Sequence, residues 1–222
     1  MNCLDKLKYT FNNPKFMYLL TRLYRESQIN YSNLVKDKIV LSQDIGTSRE
    51  RDLISSLQWI HGSDNIKYTE NFHKADMLFF DEFISIKHIT DNRLNWRSIK
   101  YDWNSNPNCT HKSINKFIDG EKVHHMLIIV HDFRKHSNID VFFINKSSFL
   151  DNLKRNSTDI FKVHTNSNSR GYSFSNSFIS NLHIERIISY KFPEEYVIST
   201  DNIKQLQEIQ YLNKIKSILP SC

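Results

Sequence analysis

The chain has 222 residues, 39% hydrophobic and 24% charged, which allows one domain with a sizeable core and excludes a disordered chain. Its formal charge is +6 and its pI is about 9.1, which favours a polyanionic partner. Three widely spaced cysteines, no export signal and no long apolar run predict a cytoplasmic protein without a membrane partner.

Helical signals come first along the chain. Asn13 followed by Pro14 predicts an N-cap and the first position of a helix. A second helix is predicted at about 48–60, where leucines and isoleucines form one apolar stripe. Thr47 and Glu50 have the spacing of a capping box at its start.

Apolar runs in the middle of the chain predict β-strands. Residues 74–80 and 83–90 predict a hairpin, and residues 96–103 predict a third strand. Two further strands are expected at 126–133 and 140–146, the first of them in the centre of a sheet.

The rest of the chain mixes turns, helices and loops. Residues 104–113 are predicted to form a turn, and a short helix is expected after 146. Residues 165–178 predict a polar loop that runs into a strand, and 201–219 predict an amphipathic helix. The order of elements predicts an α/β or α+β fold with a central mixed β-sheet flanked by helices.

We expect a single domain over residues 1–222 with three regions. Residues 1–45 form an N-terminal helical region, 46–146 the core that carries the chemistry, and 147–222 a region for recognition and dimerisation.

Charged residues mark the ends of the predicted hairpin. If Asp81 and Glu82 form a two-residue turn, Asp76 lies opposite Lys87, and Ser85 shares their face of the sheet. The simplest interpretation is an ion pair on a solvated edge, worth about 0.2–1 kcal/mol. The apolar flanks of both strands and the nearby carboxylate of Glu50 argue for a more specific role.

The segment ADMLFF…ISIKHIT, after GTSRERDL, resembles the PD-(D/E)XK nuclease superfamily, especially type II restriction endonucleases. The resemblance covers residues 46–103. It implies a mixed β-sheet flanked by helices and hydrolysis of phosphodiester bonds that depends on Mg²⁺.

The resemblance also implies roles for individual residues. Asp76 corresponds to the metal-binding aspartate, Lys87 to the catalytic lysine, and Glu50 to an additional acidic ligand. The backbone carbonyl of Ile86 can complete the shell of oxygen ligands that Mg²⁺ prefers. Ser85 departs from the family pattern, which most often has a carboxylate there, and this favours one metal ion over two.

Two alternatives remain open for the additional carboxylate. Glu50 can instead serve as the reciprocal partner of Thr47 in the capping box. Asp52 is the other candidate ligand.

Polar residues near the C-terminal side are candidates for DNA recognition. Arg170 can reach guanine with two hydrogen bonds, and Asn166, Asn168 or Asn176 can pair with adenine. Lys100 can contact a phosphate. An ordinary surface loop in an asparagine-rich chain is the competing interpretation.

These observations predict a Mg²⁺-dependent type II restriction endonuclease that cleaves double-stranded DNA at a specific site as a homodimer. The alternatives are a structure-specific, resolvase-like nuclease of the same superfamily and a DNA-binding protein without catalytic activity.

Overall fold

The computed structural model describes residues 1–36, 44–69, 75–90, 94–95, 99–101, 106–131, 138–155, 160–164 and 171–193. Within these ranges the helices are α1 (Cys3–Phe11), α2 (Pro14–Lys36), α3 (Asp44–His61), α4 (Pro107–Ile118), α5 (Lys146–Arg155) and α6 (Asn176–Ser180). The strands are β1 (Ile66–Tyr68), β2 (Met77–Phe79), β3 (Glu82–Ile89), β4 (His125–His131), β5 (Asn138–Ile144), β6 (Phe161–His164), β7 (Gly171–Phe174) and β8 (Ile184–Lys191). None of the described helices is both long and apolar enough to cross a membrane.

One mixed sheet contains the strands in the order β1-β2-β3-β4-β5-β8. Strands β3 and β4 are parallel, and the other neighbouring pairs are antiparallel. β6 and β7 form a separate antiparallel pair. The predicted central strand is confirmed, because β4 has a neighbour on each edge and is buried along its whole length.

Helices cover both faces of this sheet. Leu20 of α2 and Leu53 of α3 pack in one core with Ile84 and Ile86 of β3. Phe117 of α4, Phe149 of α5, Phe178 of α6 and Phe174 of β7 form the other core with Ile89 and Ile128. The predicted central mixed sheet flanked by helices is therefore confirmed.

The Asn-Pro signal predicts helix starts well. The side chain of Asn13 accepts hydrogen bonds from the backbone N–H groups of Lys15 at 3.0 Å and Phe16 at 3.4 Å, which confirms the N-cap of α2. Asn106 caps α4 in the same way, with Pro107 at its start. The predicted turn at 104–113 is therefore wrong for residues 107–113, which belong to α4.

Other predictions are wrong or concern residues outside the described ranges. Helix α3 begins at Asp44, so Thr47 lies inside the helix and the capping box with Glu50 is wrong. Residues 99–101 of the predicted third strand are not a β-strand, and the rest of it lies outside the described residues, as does the helix predicted at 201–219.

The hairpin of β2 and β3 turns one residue earlier than predicted. Its two-residue loop is Phe80 and Asp81, with φ angles of 46° and 69°, the backbone of a type I′ turn. The register pairs Met77 with Ile84 and Phe79 with Glu82. This register places Asp76 opposite Ser85, so the predicted pairing of Asp76 with Lys87 is wrong. The pairings shift by two positions, so both side chains keep their predicted face of the sheet.

Contacts around Phe80 compensate for its unfavourable backbone conformation. Its ring lies edge-on to His61 and Phe79, with centroid separations of 5.2 and 5.1 Å. The ammonium of Lys6 lies 3.6 Å from the ring centroid. Packing against α1 and α3 thus selects the position of the turn.

Asp81 has the same kind of backbone conformation but an exposed side chain. A left-handed backbone conformation destabilises a residue that has a Cβ by about 1–2 kcal/mol. Glycine avoids this cost, but its larger entropy in the unfolded chain offsets part of the gain. We expect a free energy of unfolding about 1 kcal/mol higher for Asp81→Gly than for Asp81→Ala. Urea titration of both variants measures the difference, and equal values would contradict the assigned turn.

Candidate active site

The backbone of Asp76 is fixed on both sides at the start of β2. Its N–H donates to the carbonyl of Ile84 at 3.1 Å, and its carbonyl accepts from the N–H of Thr69 at 3.2 Å. Its carboxylate Oδ2 accepts the backbone N–H of Ile86 at 2.5 Å. The aspartate therefore continues the ladder between β2 and β3 with its own side chain, which leaves little freedom for the carboxylate.

Alternation along β3 separates the core from the candidate site. Ile84 and Ile86 are fully buried, whereas Ser85 and Lys87 are half-buried and point to the other face of the sheet. In a strand, the N–H and C=O of one residue point to the same side. The carbonyl of Ile86 therefore points to the side on which its N–H meets Asp76.

Helix α3 brings Glu50 within electrostatic reach of this site. The helix packs over Ile84 and Ile86, and Glu50 is half-buried on it, three residues before Leu53. Burial and the nearby carboxylate of Asp76 raise the pKa of Glu50 from 4.5 to about 7, and Lys87 acts in the opposite direction. The structure thus brings Glu50, Asp76 and Lys87 into one electrostatically coupled group.

A buried arginine fixes α3 beside the sheet. Arg49 is 2% exposed, and its guanidinium donates to Oγ1 of Thr90 at 2.8 Å, directly after β3, and to Oε1 of Gln28 on α2. These bonds attach Arg49, the residue before Glu50, to α2 and to the end of β3. The sequence analysis did not single out Arg49, because a charged residue in the first half of a helix usually faces solvent.

Aromatic and histidine rings surround Arg49. The ring of Tyr24 stacks on His131 at a centroid distance of 5.1 Å and meets His88 edge-on at 5.3 Å. Burial, together with the positive charge of Arg49, holds the pKa of both histidines well below the usual range. Both imidazoles are therefore neutral, and Arg49 carries the positive charge of this group.

Asp52, the alternative ligand, lies in a different environment. It is 7% exposed, and its Oδ2 accepts the hydroxyl of Ser27 on α2 at 2.5 Å. Its carboxylate therefore links α3 to α2. The pKa of Glu50 responds to Asp76 and Lys87, which favours Glu50 as the additional carboxylate.

His124 is a neighbour that the sequence analysis did not select. It precedes β4, and its ring lies 5.8 Å from that of Phe83, which shares a face with Ser85. Burial and Lys146 lower its pKa to about 4, while the carboxylate of Asp76 acts in the opposite direction. A neutral imidazole therefore borders the site.

The residues predicted to contact DNA are only partly described. Arg170, Asn166 and Asn168 lie outside the described residues. Asn176 is exposed as the first residue of α6, whereas Lys100 is only 7% exposed. Lys100 is therefore more enclosed than a lysine on an open surface would be.

The donor set fits a hard divalent cation. The carboxylate of Asp76 is bonded to the backbone of Ile86, and its charge acts on Glu50; carboxylate and carbonyl oxygens are the ligands of Mg²⁺. Ser85 adds no charge. Within the described ranges, no group of three or more His, Cys, Asp or Glu side chains has a metal-binding arrangement.

Comparison with solved structures finds a similar chain described as a restriction endonuclease in complex with substrate DNA. The TM-score is 0.60 at 16% sequence identity, over 97% of this chain and 92% of that one. The chain has a restriction-endonuclease-like fold. No family model and no curated protein matches the sequence, so the restriction-endonuclease-like fold rests on this structural similarity and on the sheet itself.

The raised pKa of Glu50 predicts how stability depends on pH. The folded protein holds this proton more tightly than the unfolded chain does. The resulting stabilisation is full below pH 4.5 and is lost as the pH rises through about 7. With a chelator present, we expect the Glu50→Gln variant to gain stability relative to wild type between these values.

Denaturant titrations at several pH values measure this difference. Glu121→Gln, a change at an exposed carboxylate, is the matched control and should follow wild type. A difference between Glu50→Gln and wild type that stays constant with pH would contradict the assigned environment.

Proposed function

We propose that the chain is a Mg²⁺-dependent endonuclease that hydrolyses double-stranded DNA at a specific short site, of the type II restriction kind. The observation that carries this proposal is the coupling of Glu50, Asp76 and Lys87 at one place on the central sheet. The similar solved structure, a restriction endonuclease with substrate DNA, supports the same class of reaction.

Each residue of the group has a defined task in this proposal. Asp76 and Glu50, with the carbonyl of Ile86, hold Mg²⁺. When bound, the ion lowers the pKa of a coordinated water and offsets negative charge on the scissile phosphate. Lys87 orients the attacking water and stabilises the extra charge of the pentacovalent transition state.

Positioning in this proposal comes from the surrounding structure. The N–H of Ile86 fixes the carboxylate of Asp76, and Arg49 fixes the start of α3 and with it Glu50. Preorganised charges stabilise a transition state better than mobile ones, because no reorganisation is needed during the reaction.

Recognition and assembly follow from the reaction. A chain with one site cuts both strands of a palindromic sequence most simply as a homodimer, because two-fold symmetry of the protein matches that of the DNA. We assign recognition and dimerisation to residues 147–222. In this region Arg170, Asn168 and Asn176 are candidates for base contacts. Outside it, Lys100 is a candidate for a phosphate contact.

The proposal is tested by digesting a sequenced plasmid with Mg²⁺ and mapping the ends. Cleavage at one short sequence supports the restriction type, cleavage only at branched DNA indicates a structure-specific nuclease, and binding without metal-dependent cleavage indicates a DNA-binding protein.

Asp76→Ala and Lys87→Ala test the catalytic group directly. We expect cleavage by Asp76→Ala to fall below detection, and Lys87→Ala to lose about 100- to 1,000-fold in the single-turnover rate. Cooperative unfolding is the control for both variants, and the thermal midpoint of Lys87→Ala should stay close to wild type. Near-normal cleavage by either variant would exclude the assigned roles.

Ser85→Ala tests the departure from the family pattern. A neutral hydroxyl can at most orient a water with one hydrogen bond, worth about 0.5–1.5 kcal/mol. We therefore expect Ser85→Ala to retain at least about a tenth of the wild-type rate across a Mg²⁺ titration. An inactive variant that still binds DNA would give the serine a direct catalytic role.

A further inference from the structure

Three basic side chains converge on the outer face of the β6–β7 pair. Along β6, Phe161 and Val163 alternate with Lys162 and His164, so the two sets point to opposite faces. The ring of Phe161 lies 4.7 Å from that of Tyr172 on the core side. Lys162 and His164 therefore point away from the core.

Lys100 reaches the same outer face from a neighbouring segment. The N–H of Tyr101 donates to the carbonyl of Tyr172 at 2.8 Å, and the ring of Tyr101 lies on the core side, 5.1 Å from Phe174. Lys100 directly precedes Tyr101, and its charge acts on Lys162 and His164. The pKa of Lys100 is lowered by burial and by Lys162, and that of His164 by burial and by both lysines.

We name Lys100, Lys162 and His164 the basic cluster. Lys100 is 7% exposed, and in the described part of the chain no carboxylate pairs with it or with Lys162. A lysine with a cationic neighbour and no counter-charge is unfavourable for the isolated protein, because like charges repel. Such an arrangement is expected where a ligand supplies the missing negative charge.

A cavity of about 290 Å³ adjoins the basic cluster. Lys162, His164, Ser173 and Asn176 line it, together with aromatic side chains. Nε2 of His164 lies 2.8 Å from the hydroxyl of Ser173, so both groups turn towards the same space. Ammonium, imidazole, hydroxyl and amide groups are hydrogen-bond donors suited to phosphate oxygens.

We propose that the basic cluster binds phosphodiester groups of double-stranded DNA and so positions the duplex on the candidate active site. This inference rests on the proposed function and adds Lys162 and His164 to the DNA-contacting residues. Ile89, two residues after Lys87 on the same face of β3, packs in one core with Phe174 of β7. A duplex that reaches Lys87 therefore passes on the side of the sheet that carries the cluster.

Salt-dependent binding of the full-length protein to duplex DNA in Ca²⁺ tests the inference. Each neutralised phosphate contributes about −0.9 to the slope of log affinity against log salt, or about eightfold in affinity at 0.1 M salt. We expect Lys162→Ala to lose about eightfold in affinity and to lower the slope by about 0.9, and Lys162→Arg to restore both.

Lys15→Ala is the matched control, because Lys15 is an exposed cation on α2, on the opposite face of the sheet. It should leave the slope unchanged. An unchanged slope in Lys162→Ala, or an equal loss in Lys15→Ala, would overturn the phosphate site.

Lys100→Met gives a second readout that a structural lysine would not produce. The change keeps the aliphatic chain and removes the unpaired charge, so we expect a higher thermal midpoint together with weaker DNA binding. A lower midpoint with normal DNA binding would make Lys100 a structural residue and overturn its part in the cluster.

The inference and the proposed function fail in different ways. Metal-dependent cleavage by wild type with an unchanged slope in Lys162→Ala excludes the phosphate site and leaves the nuclease intact. Duplex binding that depends on Lys162 but leads to no cleavage supports the phosphate site and excludes the nuclease. Absence of duplex binding excludes both.

Discussion

The half-buried position of Glu50, within reach of the negative charge of Asp76, is the constraint on which the rest of the structure depends. Burial first and the charge of Asp76 second raise the pKa of Glu50 from 4.5 to about 7. Folding alone gains nothing from this arrangement, so other contacts must impose it. The backbone bonds of Asp76 to Thr69 and Ile84 supply part of that constraint, and the bonds of Arg49 to Thr90 and Gln28 supply the rest. A divalent cation held by the two carboxylates would offset the negative charge that these contacts gather.

The same constraint explains why polar groups lie deep in the fold around α3. Arg49 is almost fully buried, and the two histidines beside it are neutral because protonation would add charge next to a buried guanidinium. Tyr24 packs against both rings and fills the space between α2 and the ends of β3 and β4. Removing one member of this group would leave the others buried without compensation. The group therefore behaves as a support for Glu50, and its stability is tied to the geometry of the candidate site.

Sequence patterns were sufficient for the parts of the fold with a clear period or a clear cap. The hairpin of β2 and β3 has the predicted faces although its turn is displaced, because a shift of one residue at the turn leaves the alternation unchanged. The turn itself depends on Lys6 and His61, which are distant in sequence and invisible to a local pattern. Strand β8 was not predicted, because an edge strand alternates between half-buried and exposed residues and has a weak apolar signal. The role of Arg49 also depends on packing between three elements, which no spacing in the chain reveals.

Separation of charge in space links the candidate site to the basic cluster. The formal charge of +6 is spread along the sequence, yet the fold gathers carboxylates beside Lys87 and cations on the β6–β7 pair. Without a cation, the carboxylates repel the phosphates that the basic cluster attracts, so the two regions act against each other on one duplex. In the proposed function, Mg²⁺ held by Glu50 and Asp76 would turn this opposition into cooperation, because each partner would lower the electrostatic penalty of the other. Linkage requires that DNA strengthen metal binding by the same factor by which the metal strengthens DNA binding. Because residue 85 is a serine and not a carboxylate, the protein offers few ligands to a metal ion. Such a site is compatible with a substrate phosphate that supplies the remaining oxygen ligands.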